Sequence, residues 1–155
     1  MSAAFTATET EAMALAIAAS RQARDKGDNP FGATLVSAEG RILLTSPNTE
    51  KTTHDCTAHA ELVLVREATQ KLGADSLKGA SVFASGEPCA MCSGAMFWAG
   101  ITRVVYAATA QDIQDALGGP VLPAGCAEVL TPANPPVQVE HGLLREDAVA
   151  ALNGK

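Results

Sequence analysis

Two short segments of the sequence contain residue types that bind zinc. One reads His59-Ala60-Glu61 and the other, further along the chain, reads Pro88-Cys89-Ala90-Met91-Cys92. Two cysteines three positions apart on a helix differ by about 300° of rotation, so their sulfur atoms share one face and can bind the same tetrahedral ion. Pro88 is typical of a first helical turn, where unpaired N–H groups and the positive end of the helix dipole lower the pKa of a thiol. The two cysteines and the histidine therefore form a predicted metal site.

The number of predicted ligands favours catalysis over a structural role. His59, Cys89 and Cys92 supply one imidazole and two thiolates to one zinc ion per chain, which leaves the fourth position of a tetrahedral ion open for water. In a continuous helix Glu61 would lie about 200° around from His59, so we expect Glu61 to bend in beside the metal from the first turn. A carboxylate held there can take a proton from water and deliver it to a ring nitrogen and a leaving amine. His-x-Glu followed by Pro-Cys-x-x-Cys is also the known signature of the zinc deaminases, so these residues predict hydrolytic deamination, with Glu61 as the catalytic residue.

Three other interpretations of the same residues stay open. A cytosolic Cys-x-x-Cys pair is also typical of thioredoxin-like redox sites, although that leaves the segment from His59 to Glu61 without a role. A structural zinc site would need a fourth protein ligand, which His54, Cys56 or Cys126 could supply. Free cysteines are also commonly buried in protein cores, where they bind no metal.

The segments around the predicted site alternate between helix and strand patterns. Thr8 and Glu11 form a predicted capping box for a first helix that ends near Gly27. The predicted strands are 32–36, 41–45, 80–84, 103–107 and 137–140, and the later predicted helices are 58–72, 89–99 and 144–152. We expect the helix over 89–99 to be buried on nearly all sides, because its residues are mostly apolar.

The order of these elements predicts an α/β fold for residues 1–155. We expect one domain, a three-layer α/β/α sandwich with a central mixed five-stranded sheet. Residues 118–136 form a long connection rich in Gly and Pro, and connections of this length commonly cover binding pockets.

Composition and charge exclude several classes of protein. Of the 155 residues, 47% are hydrophobic and 18% are charged, as in an ordinary globular protein. The net charge is −6, and the only cations after Lys78 are Arg103, Arg145 and Lys155, which disfavours RNA as a partner. The N-terminus lacks the cationic segment of a signal peptide and no apolar stretch approaches a membrane span, so we expect a cytoplasmic protein without membrane association.

From about residue 29 to about residue 108 the sequence resembles the cytidine deaminase-like superfamily of zinc deaminases. The matching segments are Pro30-Phe31-Gly32-Ala33, Asn48, Thr57-Ala58-His59-Ala60-Glu61, Glu87-Pro88-Cys89-Ala90-Met91-Cys92, Gly94-Ala95 and Arg103-Val104-Val105-Tyr106. The sequence is most similar to the branch that contains guanine, cytosine and tRNA adenosine deaminases. The resemblance implies a three-layer fold, zinc held by His59, Cys89 and Cys92, Glu61 as a proton shuttle, and a homodimer or higher oligomer.

The resemblance also indicates which residues contact the substrate, a small heterocyclic base or nucleoside. An asparagine before the His-Ala-Glu motif contacts the substrate in this branch, and Asn48 occupies that position, although an asparagine after Pro47 is also found in turns. We expect Phe31 and Trp98 to line the pocket, with Trp98 stacked on a flat ring, unless they are core residues. The backbone near Ala60 is expected to orient the ring.

Guanine is the leading predicted substrate, with cytosine or another aminated base or nucleoside as the alternative. A tRNA adenosine deaminase is disfavoured by the charge, and a non-catalytic module stabilised by zinc is the alternative of a different class. Guanine deaminases tend to carry a Phe-Asp-Asp segment after the fourth strand, whose acid recognises the guanine edge, and this sequence lacks it. The possible substitutes are Asp112, Asp115, Glu128, Glu140 and His141.

Overall fold

Five strands form one mixed sheet in the computed structural model, which describes residues 4–155. The strands are β1 (Gly32–Val36), β2 (Ile42–Pro47), β3 (Ser81–Gly86), β4 (Arg103–Ala108) and β5 (Gln138–His141), in the spatial order β2-β1-β3-β4-β5. β1 is antiparallel to β2 and β3, whereas β3, β4 and β5 are parallel. The predicted mixed five-stranded sheet is confirmed, and each strand lies within a few residues of its predicted position.

Helices cover both faces of this sheet. They are α1 (Ala7–Asp25), α2 (Glu50–Thr53), α3 (Ala60–Leu72), α4 (Ala90–Ala99), α5 (Ala110–Leu117), α6 (Cys126–Leu130) and α7 (Arg145–Leu152). One hydrophobic core contains α1 and α7 residues, with α5 packed against it, and the other contains α3, α4 and α6 residues. The two cores lie on opposite faces of the sheet because strand side chains alternate between faces, which gives the predicted three-layer arrangement.

The first helix begins two residues earlier than predicted. Thr6 rather than Thr8 is its N-cap: the Thr6 hydroxyl accepts from the backbone N–H of Glu9 at 3.1 Å, and the Glu9 carboxylate accepts from the Thr6 N–H at 2.8 Å. Both threonines precede a glutamate by three positions, so the sequence pattern fits either. Arg103 on β4 binds the Glu9 carboxylate as well, and this tertiary contact favours the earlier start.

Three short helices lie in segments to which the sequence assigned no element. α2 follows β2, α6 falls within the 118–136 connection, and α5 follows β4. α5 begins at a capping box made by Thr109 and Asp112, in which aspartate replaces the usual glutamate. Neither α2 nor α6 has a side-chain hydrogen bond at its N-cap, and both are too short for a helical repeat of apolar residues to show in the sequence.

The expectation that the helix at 89–99 is buried on nearly all sides is wrong. α4 buries only Cys92, Ser93 and Met96, and Trp98 is 84% exposed. α4 belongs to an outer layer and therefore turns a single face towards the protein interior. An almost uniformly apolar sequence has no periodicity that distinguishes such a face.

Within residues 4–155, no helix has both the length and the apolar character needed to cross a bilayer.

Candidate metal centre and its cavity

The predicted ligands meet at the carboxyl end of the parallel strands β3 and β4. β3 and β4 are parallel, so the segments that follow Gly86 and Ala108 leave the sheet at the same edge. β1 is antiparallel to β3, which brings its start and the end of β2 to that edge as well. Catalytic and binding groups commonly collect at the carboxyl ends of parallel strands, and this sheet directs the start of α4 there.

His59, Cys89 and Cys92 place their ligand atoms within 4.8 Å of one another. His59 and Cys89 are the N-caps of α3 and α4, each with extended backbone, and Cys92 is a buried residue of the first turn of α4. Sγ of Cys89 lies 3.6 Å from Nδ1 of His59. The positive ends of two helix dipoles thus point towards the group, an arrangement that favours thiolate.

The electrostatics of the group fit a zinc ion. The pKa of Cys89 is lowered to about 4, first because the Cys92 thiol donates a hydrogen bond to it and also because of the nearby His59 ring. The pKa of Cys92 is raised by the same hydrogen bond and by burial. Cys89 is thus a ready thiolate, and one nitrogen and two sulfur atoms are the donors that zinc prefers.

The chain offers no fourth ligand to this group among residues 4–155. His54 and Cys56 are exposed, Cys126 is buried, and none of the three belongs to the cluster. The interpretation as a closed structural site therefore loses the protein ligand it requires, and three ligands leave a position for water.

Glu61 is buried beside the ligands, at the second position of α3. Its exposed fraction is 5%, and burial raises the pKa of its carboxyl from 4.5 to about 7, although a hydrogen bond with Cys92 opposes the shift. The helical rotation expected between His59 and Glu61 does not apply, because His59 precedes the helix in extended conformation. Glu61 reaches the cavity without bending out of α3.

A cavity of about 690 Å³ opens onto these residues. Phe31 and Asn48 line it, as the sequence predicted, although Phe31 also packs against both hydrophobic cores. Ala60 is fully buried and does not line the cavity. Trp98 is exposed and lies outside the cavity wall, so the structure does not place it where it could stack on a ring bound there. Part of the 118–136 connection, over residues 118–125, contributes to the wall.

No sequence pattern points to Glu50, which joins Asn48 to the metal ligand His59. Its Oε1 accepts from Nδ2 of Asn48 at 2.7 Å and from Nδ2 of Asn29 at 3.2 Å, and it lies 3.3 Å from Nε2 of His59. The Glu50 N–H in turn donates to Oδ1 of Asn48 at 3.0 Å. A carboxylate on the far nitrogen of a ligand histidine fixes its tautomer and ring orientation. Spacing could not reveal this contact, since Glu50 belongs to no recognised motif.

A second carboxylate in the cavity wall, Glu87, accepts hydrogen bonds from the first residues of α5 and α6. One oxygen accepts from the N–H of Ala110 at 3.0 Å and the other from the N–H of Cys126 at 3.2 Å, so it ties the starts of α5 and α6 to the segment that leads into α4. Glu87 therefore shapes the cavity through its backbone partners.

None of the five residues proposed to replace the missing acid that recognises guanine lines the cavity. Asp112 binds Arg145 and Glu140 binds Arg103, so both are engaged elsewhere. Gln111 donates to Asp115, Glu128 is exposed, and the His141 ring stacks on Tyr106. α5 turns Asp112 and Asp115 away from the cavity and presents Ile113, Gln114 and Leu117 to it, whereas Glu128 on α6 and Glu140 and His141 on β5 lie outside the lining.

Comparison with known proteins agrees with the zinc chemistry. An open three-ligand site at the edge of such a sheet, beside a buried carboxyl, is characteristic of a zinc-dependent deaminase. The chain belongs to the cytidine and deoxycytidylate deaminase family, whose zinc-binding region matches residues 6–108.

Curated relatives differ in the substrate their names state. The tRNA-specific adenosine deaminase of Agrobacterium fabrum is 39% identical over 115 residues, which cover 74% of this chain and 72% of the relative. The probable cytosine deaminase of Schizosaccharomyces pombe is 32% identical over 143 residues, covering 90% of this chain and 86% of that protein.

Two solved structures are also similar to this chain: a guanine deaminase and a protein in complex with a purine analogue. The guanine deaminase of Bacillus subtilis superposes with a TM-score of 0.64 at 36% identity, covering 69% of this chain and 68% of that chain. A variant of the protein NE0047 in complex with 8-azaguanine superposes with a TM-score of 0.81 at 26% identity, covering 94% and 84% respectively. The fold is therefore shared across enzymes of several substrates.

Proposed function

We propose that this deaminase hydrolyses a small aminated nucleobase, with guanine as the leading substrate. Guanine and water would give xanthine and ammonia. The observation that carries this proposal is the buried carboxyl of Glu61, which lies beside an open three-ligand metal site within a cavity large enough for a base.

In the proposed mechanism the protein residues hold the metal and move protons. His59, Cys89 and Cys92 would hold the zinc ion, whose Lewis acidity would make water a nucleophile near neutral pH. The Glu61 carboxylate would take one proton from the attacking water and deliver it to the ring nitrogen, and it would then carry the second proton from the same oxygen to the amine, which leaves as ammonia. The pKa of Glu61, about 7, matches this role because the group can both accept and release a proton at neutral pH.

The charge of the cavity wall favours a neutral substrate. Across the described residues, the lining includes the carboxylates Glu50, Glu61 and Glu87 and no Lys or Arg. A phosphate would meet like charges there without a Lys or Arg side chain to pair with, which costs free energy. We therefore propose a free base or nucleoside as the ligand and do not propose RNA.

Among the predicted substrate contacts, Asn48 and Phe31 remain in the proposal. Asn48 is 1% exposed and anchored through both ends of its amide by Glu50, so it presents a fixed hydrogen-bonding group to the cavity. Phe31 offers an aromatic face. Ala60 and Trp98 are left out, because neither lines the cavity.

Cytosine is the second candidate substrate. The similarity to the probable cytosine deaminase spans 90% of this chain, more than its similarity to the tRNA-specific adenosine deaminase. Ammonia release from guanine, cytosine, adenine, guanosine and cytidine by the zinc-loaded protein distinguishes these candidates. Release from guanine alone supports the leading proposal, and release from cytosine alone replaces it.

The assembly and location belong to the same proposal. We treat residues 1–155 as one deaminase domain and propose a homodimer with Trp98 at its interface, since Trp98 is 84% exposed on α4 and tryptophan is enriched at protein–protein interfaces. All four cysteines are free thiols, which supports a reducing compartment such as the cytoplasm.

A further inference from the structure

Glu50 is a cavity carboxylate with one oxygen that accepts no hydrogen bond from the described residues. Glu61 is buried against Cys92, and both oxygens of Glu87 accept backbone N–H groups. In Glu50 the contacts with Asn48, Asn29 and His59 all converge on Oε1. Within residues 4–155 no group donates to Oε2, although Glu50 lines the cavity.

The surrounding contacts hold this carboxylate in place. Glu50 is the first residue of α2, and the buried Asp28 accepts at 2.9 Å from the N–H groups of both Lys51 and Thr52. The Thr52 hydroxyl also donates to Asp28 at 2.9 Å. A short helix without a side-chain cap is thereby tied to the segment before β1, and the anchored amide of Asn48 orients the carboxylate itself. Such a group is preorganised to recognise a ligand.

The chemistry of a carboxylate oxygen determines which ligand atoms it can recognise. It only accepts hydrogen bonds, so it selects a ligand that presents an N–H at that point and rejects one that presents a lone pair or a carbon. In guanine and isocytosine the amino-bearing carbon lies between two ring nitrogens, one of which carries hydrogen. In cytosine and adenine the neighbours of that carbon are a nitrogen without hydrogen and a carbon.

We propose that Oε2 of Glu50 accepts the ring N–H that adjoins the amino-bearing carbon, so that the cavity selects the guanine and isocytosine class over cytosine and adenine. This inference rests on the proposed function and names the substrate class of the same site. The unprotonated ring nitrogen on the other side of that carbon is then left for the proton from Glu61. Glu50 thus replaces the acid that the segment after β4 lacks.

Isocytosine and cytosine provide the sharpest test because they are isomers and both yield uracil and ammonia. For the wild-type protein we expect a higher kcat/KM for isocytosine than for cytosine. In Glu50→Gln this preference falls by about 10- to 100-fold, the range of one hydrogen bond to a charged group. Glu87→Gln removes a carboxylate from the same wall and should change both rates alike, with thermal denaturation used to confirm that each variant folds.

Because Glu50 also contacts His59, the ratio of the two substrates is decisive rather than the absolute rate. Zinc content is measured for each variant, and a loss of metal would lower both rates together. An unchanged isocytosine-to-cytosine ratio in Glu50→Gln overturns the inference.

Equilibrium binding separates failure of this inference from failure of the proposed function. Isothermal titration of isocytosine and cytosine into Glu61→Ala, with and without Glu50→Gln, measures recognition without turnover. Selective binding that depends on Glu50 supports the inference even if no base releases ammonia, in which case only the proposed reaction fails. Equal affinities in both backgrounds overturn the inference whatever the activity.

Discussion

Sγ of Cys89 lies 3.6 Å from Nδ1 of His59, although the two residues are 30 positions apart in the chain. Each is the N-cap of a helix, and the two helices pack on the same face of the sheet. The contact therefore requires β3 to deliver the start of α4 to the start of α3. The site is a product of the sheet topology as much as of the two motifs.

Zinc binding should depend on these ligands and not on the other thiols. We expect one zinc per chain by atomic emission, and loss of most of that zinc in Cys89→Ser and in Cys92→Ser, because two protein ligands do not hold the ion tightly. Cys56→Ser is the matched control, since Cys56 is exposed and lies outside the cluster. Full zinc content in Cys92→Ser, or its loss in Cys56→Ser, would refute this ligand assignment.

The packing of α1 on β1 should be sensitive to a single methyl group at Gly32. A Cβ there would overlap the carbonyl oxygen of Ala16 and approach Cβ of Ala19 to 2.7 Å. We expect Gly32→Ala to lower the free energy of unfolding by about 3 kcal/mol, measured by urea denaturation, because backbone atoms cannot yield.

Gly94→Ala, in α4, is the control for the stability loss expected in Gly32→Ala. No neighbouring atom lies within 4 Å of its Cβ position, and alanine is favoured over glycine in a helix by up to about 1 kcal/mol. A stability loss in Gly94→Ala as large as that in Gly32→Ala would contradict the packing argument.

The Asp112–Arg145 pair should make stability depend on pH at the acid end. The Arg145 guanidinium, which donates to both Asp112 oxygens at 2.7 and 2.8 Å, lowers the pKa of that carboxyl, and the N–H of Thr109 contributes. A carboxyl with a lowered folded pKa contributes stability above its unfolded pKa, near 3.9, and loses it as pH falls through the folded pKa. We expect Asp112→Asn to lower Tm by about 2 to 4 °C at pH 7.

The Tm difference between Asp112→Asn and wild type should shrink as pH falls below about 4. Asp115→Asn, on the same helix but exposed and bound only to Gln111, should leave Tm nearly unchanged. A difference for Asp112→Asn that persists at low pH would show that charge is not its cause.

Transfer RNA should not bind at physiological ionic strength. The net charge of −6 and the acidic cavity wall provide no cluster of cations for phosphate neutralisation. Fluorescence anisotropy with labelled tRNA in about 150 mM salt, near physiological ionic strength, checks this. Saturable binding that weakens steeply with added salt would be evidence for an RNA-binding surface.

The sequence predicted the parts of this structure that depend on local patterns. His59, Cys89 and Cys92 have motif spacing, and alternation of residue type marks the strands. Glu50 was missed because its contacts with Asn29 and His59 exist only after the chain folds. The exposure of Trp98 was missed because α4 is apolar along nearly its whole length, so its sequence does not show which face is buried. The capping box of α5 uses Asp112 in place of a glutamate, so the usual pattern did not predict this helix. Asp112 therefore looked like a free acid that could recognise the substrate, although it caps α5 and binds Arg145.

The measurement that tests the central claim most directly compares wild type with Glu61→Ala at equal zinc content. Guanine is incubated with each protein, and xanthine and ammonia are quantified together. The account predicts equal amounts of both products from the wild type and a rate at least about 100-fold lower in the variant, since general acid–base catalysis contributes at least that factor. Wild-type turnover in fully zinc-loaded Glu61→Ala would contradict the role of Glu61 as the proton carrier.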